Sequence, residues 1–142
     1  MQQYVCASGT DSDQLSQRWI LKSAGGGYYE VSDANDISKS WNVVNNSTTN
    51  GSLVQIWTYA GSSNEEWKPV SLGNGYYKFV GKESGLCLDT SRDSTANSLQ
   101  YDIYTCNGTD AQAFHSGPNL DDSPRNVDSY QSGKVDEIEV SR

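Results

Sequence analysis

Histidine is nearly missing from this chain: of 142 residues one is His, and only three are Cys, three Pro, two Phe and one Met. The single His115 stands in a Ser-Gly-Pro context, which argues against a Ser/His/Asp triad and against a histidine-based metal site. Basic residues are scarce, 10 Lys and Arg against 18 Asp and Glu. The formal charge of -8 argues against nucleic acid or an anionic membrane as partner and suits a neutral ligand. Apolar residues amount to 35%, and no run approaches the roughly 18 residues that a transmembrane helix needs. No signal peptide is visible at the N-terminus, and no phosphate-cradling Gly loop is visible anywhere. The adjacent Glu65 and Glu66 would point to opposite faces of a strand, unlike a glycosidase pair that faces one bond. Asp121-Asp122 reads as solvated loop charge, with calcium binding the weaker alternative. Neither enzyme chemistry nor a cofactor is expected.

What is abundant is turn and strand material. Gly, Ser, Asn and Asp recur throughout, residues that favour tight turns and local side-chain to backbone hydrogen bonds. Aromatics reach 11%, with nine Tyr and four Trp; such amphipathic rings fill a core while keeping a polar edge near water. Tyr28 to Val31, Val54 to Tyr59, Tyr76 to Val80 and Tyr101 to Cys106 are rich in β-branched and aromatic residues, and clusters such as Gly73-Asn74-Gly75 bound them. That is the pattern of short strands, and no segment carries a convincing helical period. A chain of this length buries roughly 68% of its unfolded surface. One all-β domain over residues 1–142 is therefore expected.

Its organisation is periodic. The triplets Gln17-Arg18-Trp19, Glu65-Glu66-Trp67 and Gln112-Ala113-Phe114 close units of about 47 residues, at spacings of 48 and 47. From residue 42 the second and third units align at an offset of 47 without a gap: Asn42 on Asp89, Ile56 on Ile103, Trp57 on Tyr104, Gly61 on Gly108 and Trp67 on Phe114. Upstream, Gly27-Tyr28-Tyr29 follows Trp19 at the distance at which Gly75-Tyr76-Tyr77 follows Trp67. A repeat of this size is one supersecondary unit, here about four strands, that cannot bury its apolar face alone and recurs around a shared core. The pieces are 1–19, 20–67 and 68–114. Trp19, Trp67 and Phe114 should pack in that core, while Gln17, Glu65 and Gln112 bond turn backbone rather than ligand.

The run Ser84-Gly85-Leu86-Cys87-Leu88-Asp89, then Thr95-Ala96-Asn97, Ile103-Tyr104-Thr105-Cys106-Asn107-Gly108 and Gln112-Ala113-Phe114 resembles a repeat of the ricin-type β-trefoil, the lectin and family 13 carbohydrate-binding module. That pattern reads roughly SGxCLD, TxNG, QLWxCNG, QxW. The third repeat matches the full unit, the second matches it with polar replacements, and together they cover residues 20–114. The resemblance implies a threefold barrel capped by hairpins, with up to one shallow sugar site per repeat. It also implies that Cys87 and Cys106 pair, closing a loop of about 20 residues worth about 3 kcal/mol in the chain-entropy model. Ser40 and Tyr59 stand at those places in the second repeat, and Cys6 is left a free thiol.

Sugar recognition needs an aromatic face against the C–H surface of a pyranose and carboxylate or amide groups for its hydroxyls. By resemblance, the Asp after CxL is the acceptor, the aromatic before xC is the platform, and polar residues between that Cys and the triplet complete the pocket. In the third repeat these are Asp89, Tyr104 and Asn107, with Asp110 beside Ala111, where the family often has Asn. In the second they are Asn42, Trp57 and Asn64. The structural alternative is that Asp89 and Asn42 cap turns and that Tyr104 and Trp57 are half-buried strand residues.

The first repeat offers Tyr4 as platform and Asp13 as a polar neighbour, but the segment expected to supply its acceptor would precede Met1. Residues 115–142 either complete this repeat, as a circular permutation, or form a tail or linker in which Val135 to Val140 is an unrelated edge strand. In the first case Ser132-Gly133-Lys134-Val135-Asp136 stands for the SGxCLD run and Asp136 for the acceptor. Asp136 follows Phe114 by 22 residues, as Asp89 follows Trp67.

Two function classes follow. One is non-catalytic binding of galactoside- or xylan/galactan-type oligo- or polysaccharides, several weak sites gaining avidity, in a module appended to a glycoside hydrolase whose catalytic domain belongs to a larger chain. The other is a trefoil protein-interaction domain such as a protease inhibitor, working through variable loops. One disulfide suggests an extracellular, secreted protein. Asn45, Asn46 and Asn107 begin N-x-Ser/Thr sequences, which matter only in a eukaryotic host.

Overall fold

At Gly73-Asn74-Gly75 all three residues have positive φ, at 87°, 54° and 79°, a backbone state that Gly adopts freely and Asn tolerates. The flanking strands accordingly fold back on each other as a hairpin. The structure is a computed structural model and describes residues 2–3, 18–90, 99–115 and 135–139. Its strands are β1 Gln2–Gln3, β2 Arg18–Gly25, β3 Tyr28–Asp33, β4 Lys39–Val43, β5 Ser52–Thr58, β6 Glu66–Gly73, β7 Tyr76–Gly81, β8 Cys87–Thr90, β9 Leu99–Tyr104, β10 Phe114–His115 and β11 Val135–Glu139. Single 3-10 turns at Val44–Asn46, Ser63–Glu65 and Asp110–Gln112 are the only helical elements among the described residues. Tyr4, Cys6, Asp13, Gln17, Thr95, Asn97 and Asp121-Asp122 lie outside those residues.

Strands β2 to β5 and β6 to β9 are one four-strand unit, twice over. Within each, successive strands pair antiparallel. The joints between units correspond as well: Tyr29 pairs with Trp67 across β3 and β6, and Tyr77 with Phe114 across β7 and β10. Because β6 pairs with both β3 and β7, the ladder β7-β8-β9-β5-β4-β3-β6 returns to β7 and closes the sheet on itself. Fourth strands also meet, Ser52 opposite Ile103 across β5 and β9, and Leu99 opposite Gln3 across β9 and β1. The second joint is the first moved on by one unit. Strand β1 thus holds a fourth-strand place.

The C-terminal strand departs from the wrap-around register. Along β2, β11 places Ile138 opposite Trp19 and Asp136 opposite Leu21, whereas Asp89 sits in a third strand opposite Asp102. On β2, then, β11 takes the place that β3 takes on β6, that of a second strand. The reason is backbone pairing: the outer edge of β2 presents a row of N–H and C=O groups that need partners, and Val135–Glu139 meets it over consecutive positions.

The triplet aromatics go inside as expected. Trp19, Trp67 and Phe114 share a core with Leu21, Val31, Trp41, Val54, Phe79, Leu88 and Ile103. Cys87 and Cys106 are bridged, with their Cα atoms 5.1 Å apart.

Glu65 and Glu66 do not lie on one strand. Glu65 ends the 3-10 turn and Glu66 begins β6, where it stands directly opposite Glu30 of β3, both of them buried. Two neighbouring buried carboxylates persist only if each finds a cation or a donor. Lys82 pairs with Glu66, and Lys22 Nζ lies 3.9 Å from Glu30 Oε2. Ser32 Oγ donates to Glu30 at 2.7 Å, and the Tyr59 hydroxyl donates to Glu66 at 3.4 Å. Burial, then the charges of Glu66 and Glu30, push the Tyr59 hydroxyl up from 10.0 to about 12. The folded state holds this proton longer than the unfolded one, so the contribution is fully present below pH 10 and is lost as pH rises through about 12. Tyr59→Phe is expected to flatten that loss, seen as a shallower fall of melting temperature between pH 10 and about 12 than in the wild type.

Candidate functional site

Successive residues of a strand face opposite ways, so Leu88 enters the core and Asp89 turns to the outer face of β8. Asp89 stands opposite Asp102 of β9, and Tyr104, two residues further on, shares that face. The diagonal across such a pair is roughly 7–8 Å, a gap that one pyranose ring bridges. Asp89 is 7% exposed and Tyr104 45%. The carboxylate is therefore the floor of the site and the ring its rim.

The loop after β9 is pinned onto this carboxylate by the triplet glutamine. Gln112 Nε2 donates to Asp89 Oδ2 at 2.8 Å and to the Thr105 carbonyl at 3.0 Å, while its Oε1 accepts from the Asn107 N–H at 2.9 Å. Gln112 thus bonds turn backbone, as expected, and in addition fixes the acceptor. The Asn107 Oδ1 is engaged within the turn, accepting from the Thr109 N–H at 3.0 Å and the Thr109 hydroxyl at 2.7 Å. Ala111 is buried. Asp110 is exposed and lines a cleft of about 560 Å³ with Leu72, Asn74, Tyr76, Thr109 and Ala113, a lining that excludes Asp89 and Tyr104.

In the second unit the same frame carries its charge at the other end. Asn42 Nδ2 donates to Glu65 Oε1 at 3.1 Å: the amide is now on the strand and the carboxylate on the triplet. Glu65 Oε2 accepts from the N–H groups of Ala60 and Ser62 at 2.9 and 3.1 Å, closing the turn as a capping-box carboxylate does. Gln55 Nε2 donates to Asn42 Oδ1 at 3.1 Å. Asn42 keeps one donor and one acceptor site for a ligand, though it is only 7% exposed. Trp57, on the face of Gln55, is 59% exposed. Asn64 is buried and donates to the Val43 carbonyl at 3.1 Å, so it braces β4 from within.

Trp57 is mostly open to solvent and Tyr104 about half open, while Asp89 and Asn42 anchor loops rather than cap turns. The structure does not bring Asp136 to a corresponding place, and the described residues include neither Tyr4 nor Asp13. Sequence reasoning passed over Gln55 and Asp102, each two residues before its platform ring; strand alternation was the signal that could have found them. Among the described residues no group of three or more His, Cys, Asp or Glu is placed to hold a metal ion.

Residues 15–98 and 63–140 match the ricin-type beta-trefoil lectin domain-like family. The chain belongs to this family. The ricin-type trefoil is similar to the designed threefold-symmetric protein ThreeFoil, at 37% identity and a TM-score of 0.64 over 67% of each chain. It is also similar to an exo-beta-1,3-galactanase from Clostridium thermocellum, at 29% identity and a TM-score of 0.65 over 74% of this chain and 23% of that one. No match was found among curated proteins. The all-β trefoil that the resemblance implied is thereby the fold, and the Asp89 and Asn42 frames hold equivalent places in two of its repeats.

Proposed function

We propose that the protein binds neutral oligo- or polysaccharides without cleaving them, chiefly at Asp89, Tyr104 and Asn107 and more weakly at Asn42 and Trp57. The observation that carries this reading is the Asp89 carboxylate, held by Gln112 at 2.8 Å on the same strand face as an exposed aromatic ring. A fixed acceptor takes sugar hydroxyls without first being ordered, and the ring covers the apolar face of the sugar. Family membership supports the same class.

The likeness to an exo-beta-1,3-galactanase, confined to 23% of that enzyme's chain, supports a galactan-type ligand and a family 13 module appended to a glycoside hydrolase. The place of β1 as a fourth strand, with β11 seated on β2, supports a first unit assembled from both ends of the chain. Tyr4 remains its candidate platform. The bridge between Cys87 and Cys106 supports a secreted protein.

Electrophoresis through gels containing β-1,3-galactan, arabinoxylan or galactomannan tests the reading. The wild type should be retarded on at least one of them, with Asp89→Ala and Tyr104→Ala each weakening that retardation about tenfold or more. A wild type that migrates freely on all three, and that inhibits a protease instead, places the chain among trefoil interaction domains.

A further inference from the structure

Thr105 directly follows the platform residue Tyr104, and both of its backbone groups are clamped by side chains. Its carbonyl accepts from Gln112 Nε2 at 3.0 Å, and the same Nε2 donates to Asp89 Oδ2 at 2.8 Å. Its N–H donates to Asn50 Oδ1 at 2.8 Å, while Asn50 Nδ2 donates to the Thr105 hydroxyl at 3.0 Å. Gln112 belongs to the third unit, but Asn50 comes from the turn between β4 and β5 of the second, 55 residues away along the chain. A row of bonds thus runs from Asn50 through Thr105 and Gln112 to Asp89. Tyr104 is joined to its middle member.

Asn50 is itself fixed in place. Thr48-Thr49-Asn50-Gly51 is the second unit's copy of the TxNG stretch, to which neither sugar frame gives a part. Gly51 has a φ of 83°, a left-handed state that Gly adopts freely and other side chains resist, and its N–H donates to the Ile103 carbonyl at 2.8 Å. Ser52 Oγ donates to the Thr49 carbonyl at 2.7 Å, and Ser52 stands opposite Ile103 across β5 and β9. The turn is therefore seated on the strand that carries Tyr104, and its amide meets Thr105 already oriented. In the second unit the residue after the platform ring is Thr58, whose hydroxyl accepts from Lys39 Nζ at 2.6 Å. That bond stays within one unit.

We propose that Asn50 is a positioning residue for the saccharide site of the following unit. It fixes the peptide after Tyr104, and with it the place of the ring relative to the Asp89 carboxylate, so that two repeats complete this site. Asn50 acts without touching the sugar: a ring held in place beforehand need not be ordered by the ligand. The role rests on the carbohydrate reading of Asp89 and Tyr104; the clamp on Thr105 does not.

Asn50 is exposed, so substitutions there leave the core intact. Asn50→Ala should weaken retardation about three- to tenfold in whichever of the β-1,3-galactan, arabinoxylan and galactomannan gels retards the wild type, while its melting temperature stays well above that of the gel. Hydrogen exchange of the Thr105 amide should quicken about tenfold. Asn50→Asp should restore most of both, because it keeps an acceptor for the Thr105 N–H and the hydroxyl turns to donate to its second oxygen. Added to Asp89→Ala, Asn50→Ala should weaken retardation no further, since the site it serves is already lost. Undiminished retardation of Asn50→Ala, an Asn50→Asp as weak as Asn50→Ala, or an equal further loss on top of Asp89→Ala overturns the positioning role and leaves the saccharide site standing. A wild type that none of the gels retards overturns the saccharide reading and the role with it, even where the Thr105 amide still depends on Asn50.

Discussion

Trp41→Ala is expected to destabilise the protein by about 3–5 kcal/mol, the range for removing a buried Trp. Trp41 is fully buried, and its ring meets those of Trp19, Trp67 and Phe79 edge-on, at centroid separations of 5.2, 6.1 and 5.1 Å. Two of these partners are the triplet aromatics of successive units, so one side chain from β4 ties the ends of two repeats together. Edge-to-face pairs of this kind add about 0.5–1.5 kcal/mol each beyond the area they bury. The main chain takes part too, since Trp67 Nε1 donates to the Trp41 carbonyl at 3.2 Å; that bond survives the substitution. Against a total stability of about 5–15 kcal/mol, the loss is a large fraction of the whole. Urea unfolding followed by tryptophan fluorescence measures it as a drop in midpoint at unchanged slope. Trp41→Leu should lose less, because Leu88 fills the same place in the third unit. A Trp41→Ala protein with the wild-type midpoint would show that the units are not joined through this ring.

The period of the chain made this core legible before any coordinates. A triplet aromatic recurring at 48 and 47 residues has to serve one shared interior, and Trp19, Trp67 and Phe114 do. The family resemblance pointed to Asp89 and Tyr104, and strand alternation sets them on one face of β8 and β9. Less legible were the features that depend on which residues meet across the fold. The bond between Gln112 and Asp89 joins positions 23 apart, and only the folded loop shows that the triplet polar residue braces the acceptor. The place of β11 followed from the open edge of β2, a backbone need that side-chain patterns do not encode.

The exchange of charge between the two site frames leads to the other large effect. Asn42→Asp alone is expected to cost about 3–5 kcal/mol, the range for an uncompensated buried charge. It sets a second carboxylate against Glu65 Oε1, where the Asn42 amide now donates at 3.1 Å. Gln55 Nε2 can still donate to the new group but offsets only part of the repulsion. The introduced carboxyl would hold its proton to a higher pH in the folded state than in the unfolded one. Relative to the wild type, the deficit is therefore absent below the ordinary carboxylate range near pH 4 and grows as pH rises through it. Adding Glu65→Gln should recover most of the stability at neutral pH, because the pair then matches the third unit, where Gln112 Nε2 donates to Asp89 Oδ2 at 2.8 Å. The Ala60 N–H, now on Glu65, keeps an acceptor in the glutamine oxygen, as the Asn107 N–H does on Gln112. Thermal melts of the wild type, both single variants and the double variant measure the cycle, and gel retardation reads its function. A double variant as unstable as Asn42→Asp alone would show that the two frames are not equivalent. A stable one should also bind galactan more tightly than the wild type, since the second unit would then set a braced carboxylate beside the exposed Trp57 ring.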